Sequence, residues 1–168
     1  MDSETLRARQ APIKQQYREQ PALALVTLRA SGKVTDGITC SVDTGRALVA
    51  AGLHPATGGD GLSVCSGDML LEALVACAGV TLNAVATALA IPIDGASVRA
   101  EGDLDFRGTL GVDREAPVGF KAIRLFFDLP AALPEDKKAS LLKLTERYCV
   151  VFQTLRTPPV LHVEAIAV

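Results

Sequence analysis

Cys77 and Cys149 are the residues of this chain best equipped for chemistry. Cys77 lies inside the apolar run "SGDMLLEALVACAGVTLNAVATALAIP", and Cys149 lies in "LTERYCVVFQTLR". A thiol attacks only as its thiolate, so each needs a group that lowers its pKa, either a nearby cation or the free amides of a helix start. Cys149 stands where a new short helix would begin. The sequence around Cys77 offers no neighbouring cation, so an arginine such as Arg29, Arg46 or Arg147, or one from a partner subunit, would have to supply it. Two readings stand. Free cysteine ordinarily packs as a small hydrophobe, which makes both thiols inert core; or the two form a redox pair that only the fold brings together.

The other candidates are weaker. Cys65, beside Ser66 and Gly67, sits in a loop and is either a third reactive thiol or a bystander, while Cys40 alternates with Ile38 and Val42 and reads as core. His54 precedes Pro55 in the glycine-rich stretch "HPATGGDGLSVCSG", as a ligand-binding or proton-donating group or as an ordinary surface histidine. Asp68 and Glu72 are four residues apart and share a helix face. They flank a pocket near the helix start, or Asp68 simply suits the helix dipole and Glu72 keeps one edge wet. Four cysteines without a C-x-x-C pair, and only two histidines, exclude zinc-ligand spacing. The glycine-rich loop lacks the Gly-Lys-Ser/Thr ending of a phosphate loop, and no G-x-S-x-G marks a serine nucleophile.

The elements that must position these groups follow from pattern. At 168 residues, 49% apolar and 21% charged, the chain suits one domain with a real core. Its net charge of -2 carries no basic excess for nucleic acid or anionic lipid. The polar start "MDSETLRARQAPIKQQYREQ" lacks the apolar core of a signal peptide, and a cytoplasmic location is expected. Met69 to Ile91 is long enough to span a bilayer, but it carries Thr81, Asn83 and Thr87 and has no Lys/Arg-rich flank. A helix buried on nearly all sides by protein fits better.

Residues 1–20 read as a helical arm with a thin stripe of Leu6, Ile13 and Tyr17, kinked at Pro12. Residues 21–168 read as a single domain. It opens with an antiparallel meander over 22–34, 38–42 and a third strand within "DTGRALVAAGL", residues 43–53, with "ASGKVTDG" as the first turn. The long helix follows, capped by Ser66, running to about Ala90 and closed by Pro92 and Gly95. Next comes a hairpin with Val98, Ala100, Leu104 and Phe106 alternating on one strand and Ile123, Leu125, Phe127 and Leu129 on the other. A helix opened by Pro134 has Leu141, Leu142, Leu144 and Tyr148 in its stripe, Pro158 and Pro159 stop the next, and "VLHVEAIAV" ends the chain as a strand. The class is α+β, and a lone, almost wholly apolar helix calls for a dimer that shares it.

With these elements in order, the segment "GDMLLEALVACAGVTLNAVA" resembles the central helix of the OsmC/Ohr proteins, the osmotically inducible and organic hydroperoxide resistance family. "ERYCVVFQTL" resembles that family's second cysteine motif, and the likeness spans roughly residues 22–168. It implies an OsmC-like fold, antiparallel sheets around a long central helix in an intertwined homodimer. It also implies thiol-dependent reduction of organic hydroperoxides, with Cys77 as the peroxidatic and Cys149 as the resolving cysteine, joined as a disulfide after turnover. A dithiol, thioredoxin-like or lipoyl-type reductant would restore the thiols, and no metal or organic cofactor is implied. In the family an arginine from the N-terminal strands and an acid before the helix assist the thiolate. Arg29 is the first candidate for the former, with Arg46 and Lys33 behind it; Asp68 and Glu72 are candidates for the latter. The usual proline after the second cysteine is Val150 here. The competing reading is a non-catalytic dimer that binds a small hydrophobic ligand in its interface cleft, with His54 and Cys65 of the glycine-rich loop as contacts in either case.

Overall fold

Alternating apolar residues and turn chemistry in the N-terminal half build a small sheet. The structure, a computed structural model, describes residues 2–5, 8, 11, 19, 31–35, 39–43, 48–111 and 113–166. Strands β1 (Ser31–Thr35), β2 (Thr39–Asp43) and β3 (Leu48–Gly52) form the expected antiparallel meander. The first strand, Ser31–Thr35, falls at the end of the expected 22–34 strand and passes one residue beyond it into the residues expected to turn. Residues 22–30 of the expected strand, and Leu6, Pro12, Ile13 and Tyr17 of the arm, lie outside the described residues; residues 3–5, 8, 11 and 19 are helical.

The glycine-rich stretch leaves β3 through a 3₁₀ turn, Pro55–Thr57, closed by Gly58 in the left-handed region at φ 91°, where only glycine is unstrained. Two residues, β4 (Val64–Cys65), then add to β3 in parallel and lead straight into helix α1, Ser66–Leu89. Ser66 is therefore the first helical residue. Cys65 occupies the capping position, and its side chain makes no capping hydrogen bond. The closing residue is Ala90, held at φ 52° with Ile91 N–H reaching back to the Ala86 carbonyl at 2.9 Å. That left-handed cap, ahead of Pro92 and Gly95, ends the helix.

Strands β5 (Ser97–Leu104) and β6 (Phe120–Asp128) form the expected antiparallel hairpin. Its inner face carries Val98 and Ala100 opposite Phe127 and Leu125. Its outer face is polar: Arg124 bridges Glu101 and Asp103, and the Arg99 guanidinium lies 3.8 Å over the Phe126 ring. Phe106 does not continue the alternation. Asp105 accepts a hydrogen bond from the Arg107 amide and starts a one-turn helix, α2 (Phe106–Thr109). Gly102 has no side chain because the Phe120 ring edge fills the space a Cβ would take.

Helix α3 (Glu135–Tyr148) follows Pro134, with Glu135 and Asp136 in its first turn and Arg147 in its last, as the dipole favours. It buries Leu141 and Thr145, whereas Tyr148, expected in the stripe, is 59% exposed. Helix α4 (Val150–Arg156) begins one residue later, and Pro158 and Pro159 follow its end.

Helix α1 buries one stripe, Leu74, Ala78, Leu82 and Ala86, a fourth-residue repeat that lays a single seam against β5, α3 and α4. The expectation of burial on nearly all sides is not met within one chain: Val80, on another face, is 73% exposed. Among the described residues α1 is also the one helix long and apolar enough to cross a membrane. The closing strand is likewise corrected. Residues 158–166 form no strand, and Val160, Leu161, Val163 and Ile166 are exposed, because among the described residues no strand lies beside them to complete a ladder.

Candidate active site

Each cysteine arrives by a different local rule. Cys77 is the residue before Ala78 in the buried seam of α1, so it is turned partly out of the core and is half-buried. Cys149 ends α3 and starts α4 at once. Its amide donates to the Thr145 carbonyl at 2.9 Å, its carbonyl accepts from Gln153 at 2.9 Å, and its own backbone is extended, at φ −72° and ψ 109°. This one-residue break makes a second helix start beside α1 and leaves the first amides of α4 without helical partners. Leu74, Ala78 and Cys149 form a buried cluster, and Cys77 packs against it together with Val98, Ala100, Ile123, Leu125, Phe127, Val151, Phe152 and Leu155. The fold thus brings the two thiols into contact; both are free thiols.

The contact polarises them in opposite directions. At Cys77, burial is the largest single influence and opposes ionisation. Hydrogen bonds from the Val151 amide, the Cys149 thiol, the Val150 amide and the Thr81 hydroxyl together outweigh it and hold the thiol below its ordinary pKa. At Cys149, burial pushes the pKa up. The Phe152 and Val151 amides pull the other way, but the bond to Cys77 and its charge add to the rise, and the net shift is upward. Helix amides lower a thiol pKa because they stabilise the thiolate where no cation is needed. The arrangement sets a half-buried Cys77, its thiol held below the ordinary pKa, against a buried Cys149 whose thiol is pushed above it.

The remaining candidates gather elsewhere. His54, Cys65, Gly67, Asp68, Leu71, Asp103, Phe106 and Phe120 line a separate cavity of about 340 Å³ at the start of α1. Cys65 is twelve residues before Cys77 on the same helix axis, a rise of about 18 Å. The His54 ring stacks on Phe106 with centroids 4.9 Å apart, and its Nδ1 accepts from the Ala56 amide at 3.0 Å, so Nε2 carries the proton of the neutral ring. Asp68 and Glu72 are exposed and lie nine and five residues before Cys77 on α1. Arg29 and Arg46 lie outside the described residues. Arg147 is exposed, its guanidinium 5.6 Å from the Tyr148 ring.

Two contributors escape a reading of sequence alone. The Val150 and Val151 amides had one legible signal, a helix restart at Cys149. Thr81 had another: at four residues after Cys77 it shares that face of the helix, and its Oγ1 donates to the Cys77 carbonyl at 2.7 Å.

A long helix seated on an antiparallel hairpin, with one thiol on it and a second at a helix start beside it, defines an α+β protein with a paired-cysteine site. The family profile described as OsmC-like protein matches residues 58–164, and the chain belongs to that family. Solved structures share the fold. An OsmC-like protein from Mycoplasma pneumoniae superposes with a TM-score of 0.65 at 16% identity, over 79% of this chain and 89% of that one. The organic hydroperoxide resistance protein OsmC of Legionella pneumophila gives 0.62 at 18% identity, over 79% and 91%. The organic hydroperoxide resistance protein OhrB of Bacillus subtilis gives 0.58 at 17%, over 79% and 93%. A comparison with curated proteins returns no match.

Proposed function

We propose that the protein is a cysteine-based peroxidase that reduces organic hydroperoxides. The observation that carries this reading is the contact between Cys77 and Cys149 with their opposite polarisation. The Cys77 thiolate attacks the terminal oxygen of the hydroperoxide, the O–O bond breaks, and its electron pair leaves on the alkoxide. The alkoxide takes a proton, with the Cys149 thiol the nearest donor, and departs as the alcohol. Cys77 is left as a sulfenic acid. The Cys149 sulfur then displaces hydroxide from that sulfenic acid, which leaves as water after taking a proton, and a Cys77–Cys149 disulfide forms. The sum is one hydroperoxide and two thiols giving one alcohol, one water and one disulfide. A dithiol, thioredoxin-like or lipoyl-type reductant restores the thiols by exchange through a mixed disulfide. The apolar residues that pack with Cys77 on the Leu74, Ala78 and Cys149 cluster, from Val98 to Leu155, suit an organic peroxide better than a fully hydrated one. Arg29 is the cation we assign to steady the departing oxygen, while Asp68 and Glu72 act, in this reading, at the rim near the helix start.

The reading includes a cytoplasmic homodimer. The exposed Val80 on α1 and the unpaired, exposed Val160 to Ile166 segment support a second copy as the surface that covers them.

One observation favours the competing reading of a ligand-binding protein. A groove of about 800 Å³ runs between α1 and β5, lined by Val75, Leu82, Ile91, Ile93 and Val98, and contains neither cysteine. Turnover separates the two. Wild-type protein with dithiothreitol is expected to consume cumene hydroperoxide catalytically and Cys77→Ser not to. Equal consumption by both, or none by the wild type, overturns the peroxidase reading.

A further inference from the structure

In an unbroken helix running from α3 into α4, the Val150 amide would donate to the Glu146 carbonyl and the Val151 amide to the Arg147 carbonyl, each four residues back. Neither bond is made among the described residues, although those on either side are, from the Cys149 amide to Thr145 and from the Gln153 amide to Cys149. Cys149 is the cause: at ψ 109° it turns the next peptide off the axis of α3. The break therefore frees two amides and orphans two carbonyls. One of those carbonyls is taken. The Gln153 side chain, half-buried on α4, reaches back seven residues, and its Nε2 donates to the Glu146 carbonyl at 2.6 Å. The acceptor is a carbonyl oxygen, so only the amide nitrogen of that side chain can meet it. Gln153 thus fills the acceptor through which Val150 would rejoin α3, and nothing in the peroxidase chemistry above accounts for it.

We infer that Gln153 is a positioning residue for the reactive thiol: by occupying the Glu146 carbonyl, its side chain holds the break between α3 and α4 open and leaves the Val150 amide to the Cys77 sulfur. Without that side chain the Glu146 carbonyl is an unmet acceptor one helical step from Val150, and a backbone acceptor draws the nearest donor. With it in place, Val150 could return only by sharing the carbonyl. The surroundings of Cys77 give this amide its weight. Val151 and Phe152 of α4 pack with Cys77 around Cys149. The β5 and β6 residues that join them, Val98, Ala100, Ile123, Leu125 and Phe127, carry no charge. Cys149 is the titratable side chain of that cluster, while Glu72 on α1 and Glu146, Arg147 and Arg156 on α3 and α4 are exposed. The inference rests on Cys77 being the working thiol but not on peroxide being its substrate.

The test is therefore run without peroxide. Full-length reduced protein is alkylated with iodoacetamide at a series of pH values, and the Cys77 peptide is followed by mass spectrometry. Gln153→Met, which keeps the length and the helix propensity and removes the donor, is expected to move the Cys77 midpoint upward and to slow alkylation at neutral pH by roughly 2- to 10-fold. The same substitution is then made in a Val150→Pro background. Proline has no N–H to return to Glu146, and it suits the first position of a helix. It also requires an extended residue before it, which Cys149 already is, at φ −72° and ψ 109°. In that background Gln153→Met is expected to change nothing. A Gln153→Met profile that overlays the wild type overturns the inference. So does a shift of equal size in the Val150→Pro background, since Gln153 would then act by some route other than the Val150 amide. Should Gln153→Met not fold, Gln153→Ala carries the same comparison. Peroxide turnover by the wild type with overlaid alkylation profiles would leave the peroxidase standing and remove the role of Gln153; a shifted Gln153→Met profile in a protein whose wild type consumes no peroxide would do the reverse.

Discussion

Replacing Cys149 by alanine separates its two assigned roles, donor to the Cys77 thiolate and resolver of the sulfenic acid. The substitution deletes one sulfur from a site 1% exposed, packed on Leu74 and Ala78, at a cost of about 1 kcal/mol in stability, which the domain tolerates. The backbone bonds that form the break between α3 and α4 use main-chain atoms of Cys149 and survive. What is lost is one of the hydrogen bonds that hold Cys77 below its ordinary pKa. A net contribution of roughly 0.5–1.5 kcal/mol for such a bond corresponds to a thiolate share at neutral pH smaller by about 2- to 12-fold. The sign follows from the direction of the shift. Cys77 ionises early in the wild type, so its alkylation rate rises and levels off at lower pH than that of an ordinary thiol; without the Cys149 donor the whole rise moves to higher pH. Cys149→Ser is the control, because its hydroxyl donates in place of the thiol but forms no disulfide. Iodoacetamide alkylation of Cys77 at pH 7 is expected to slow in Cys149→Ala and to stay near wild type in Cys149→Ser, while both variants accumulate Cys77 sulfenic acid after one equivalent of hydroperoxide. If Cys149→Ala alkylates at the wild-type rate, Cys149 does not polarise Cys77 and the account of the pair is wrong.

Three further outcomes test the scaffold. Thr145 is buried on α3 and its hydroxyl has no hydrogen-bond partner among the described residues, so Thr145→Val is expected to leave stability unchanged or raise it by about 1 kcal/mol, read from urea denaturation; a loss of more than that would show the hydroxyl to be used. Ala90 closes α1 in the left-handed region, where a Cβ costs roughly 1–2 kcal/mol, and Ala90→Gly is expected to raise the thermal midpoint. Val80→Lys places a charge on the exposed apolar face of α1 and is expected to convert a two-chain particle into a one-chain particle in sedimentation equilibrium, whereas an unchanged mass would move the dimer contact elsewhere.

Much of the fold could be read from periodicity, and its errors have physical causes. The long helix and the hairpin announced themselves because one apolar run was too long for a strand and two segments alternated cleanly. Phe106 falls outside the strand because alternation by residue type cannot see the capping Asp105, which turns the chain one residue earlier. Ser66 looked like a cap because serine favours that position, but the β4 ladder carries Cys65 into it instead. The C-terminal strand was read from composition, and composition does not say whose edge a strand will pair with. At the site, the identity of both cysteines is legible, and their contact is not, since 71 residues of chain lie between Cys77 and Cys149. The missing cation at Cys77 is the instructive case. Sequence reasoning sought an arginine, while among the described residues the work is done by amides, which every residue carries and no residue type reveals. His54, Cys65 and Asp68 did converge on one cavity, but about two and a half helical turns or more from the reactive thiol.

The central claim is that Cys77 and Cys149 act as one redox pair, and intact-protein and peptide mass spectrometry tests it most directly. After one equivalent of cumene hydroperoxide, the reduced wild-type protein is expected to lose two hydrogens and to yield a peptide pair linked through Cys77 and Cys149, reversed by dithiothreitol. A disulfide that instead involves Cys65, or Cys77 and Cys149 both recovered as free thiols while peroxide is consumed, would contradict it.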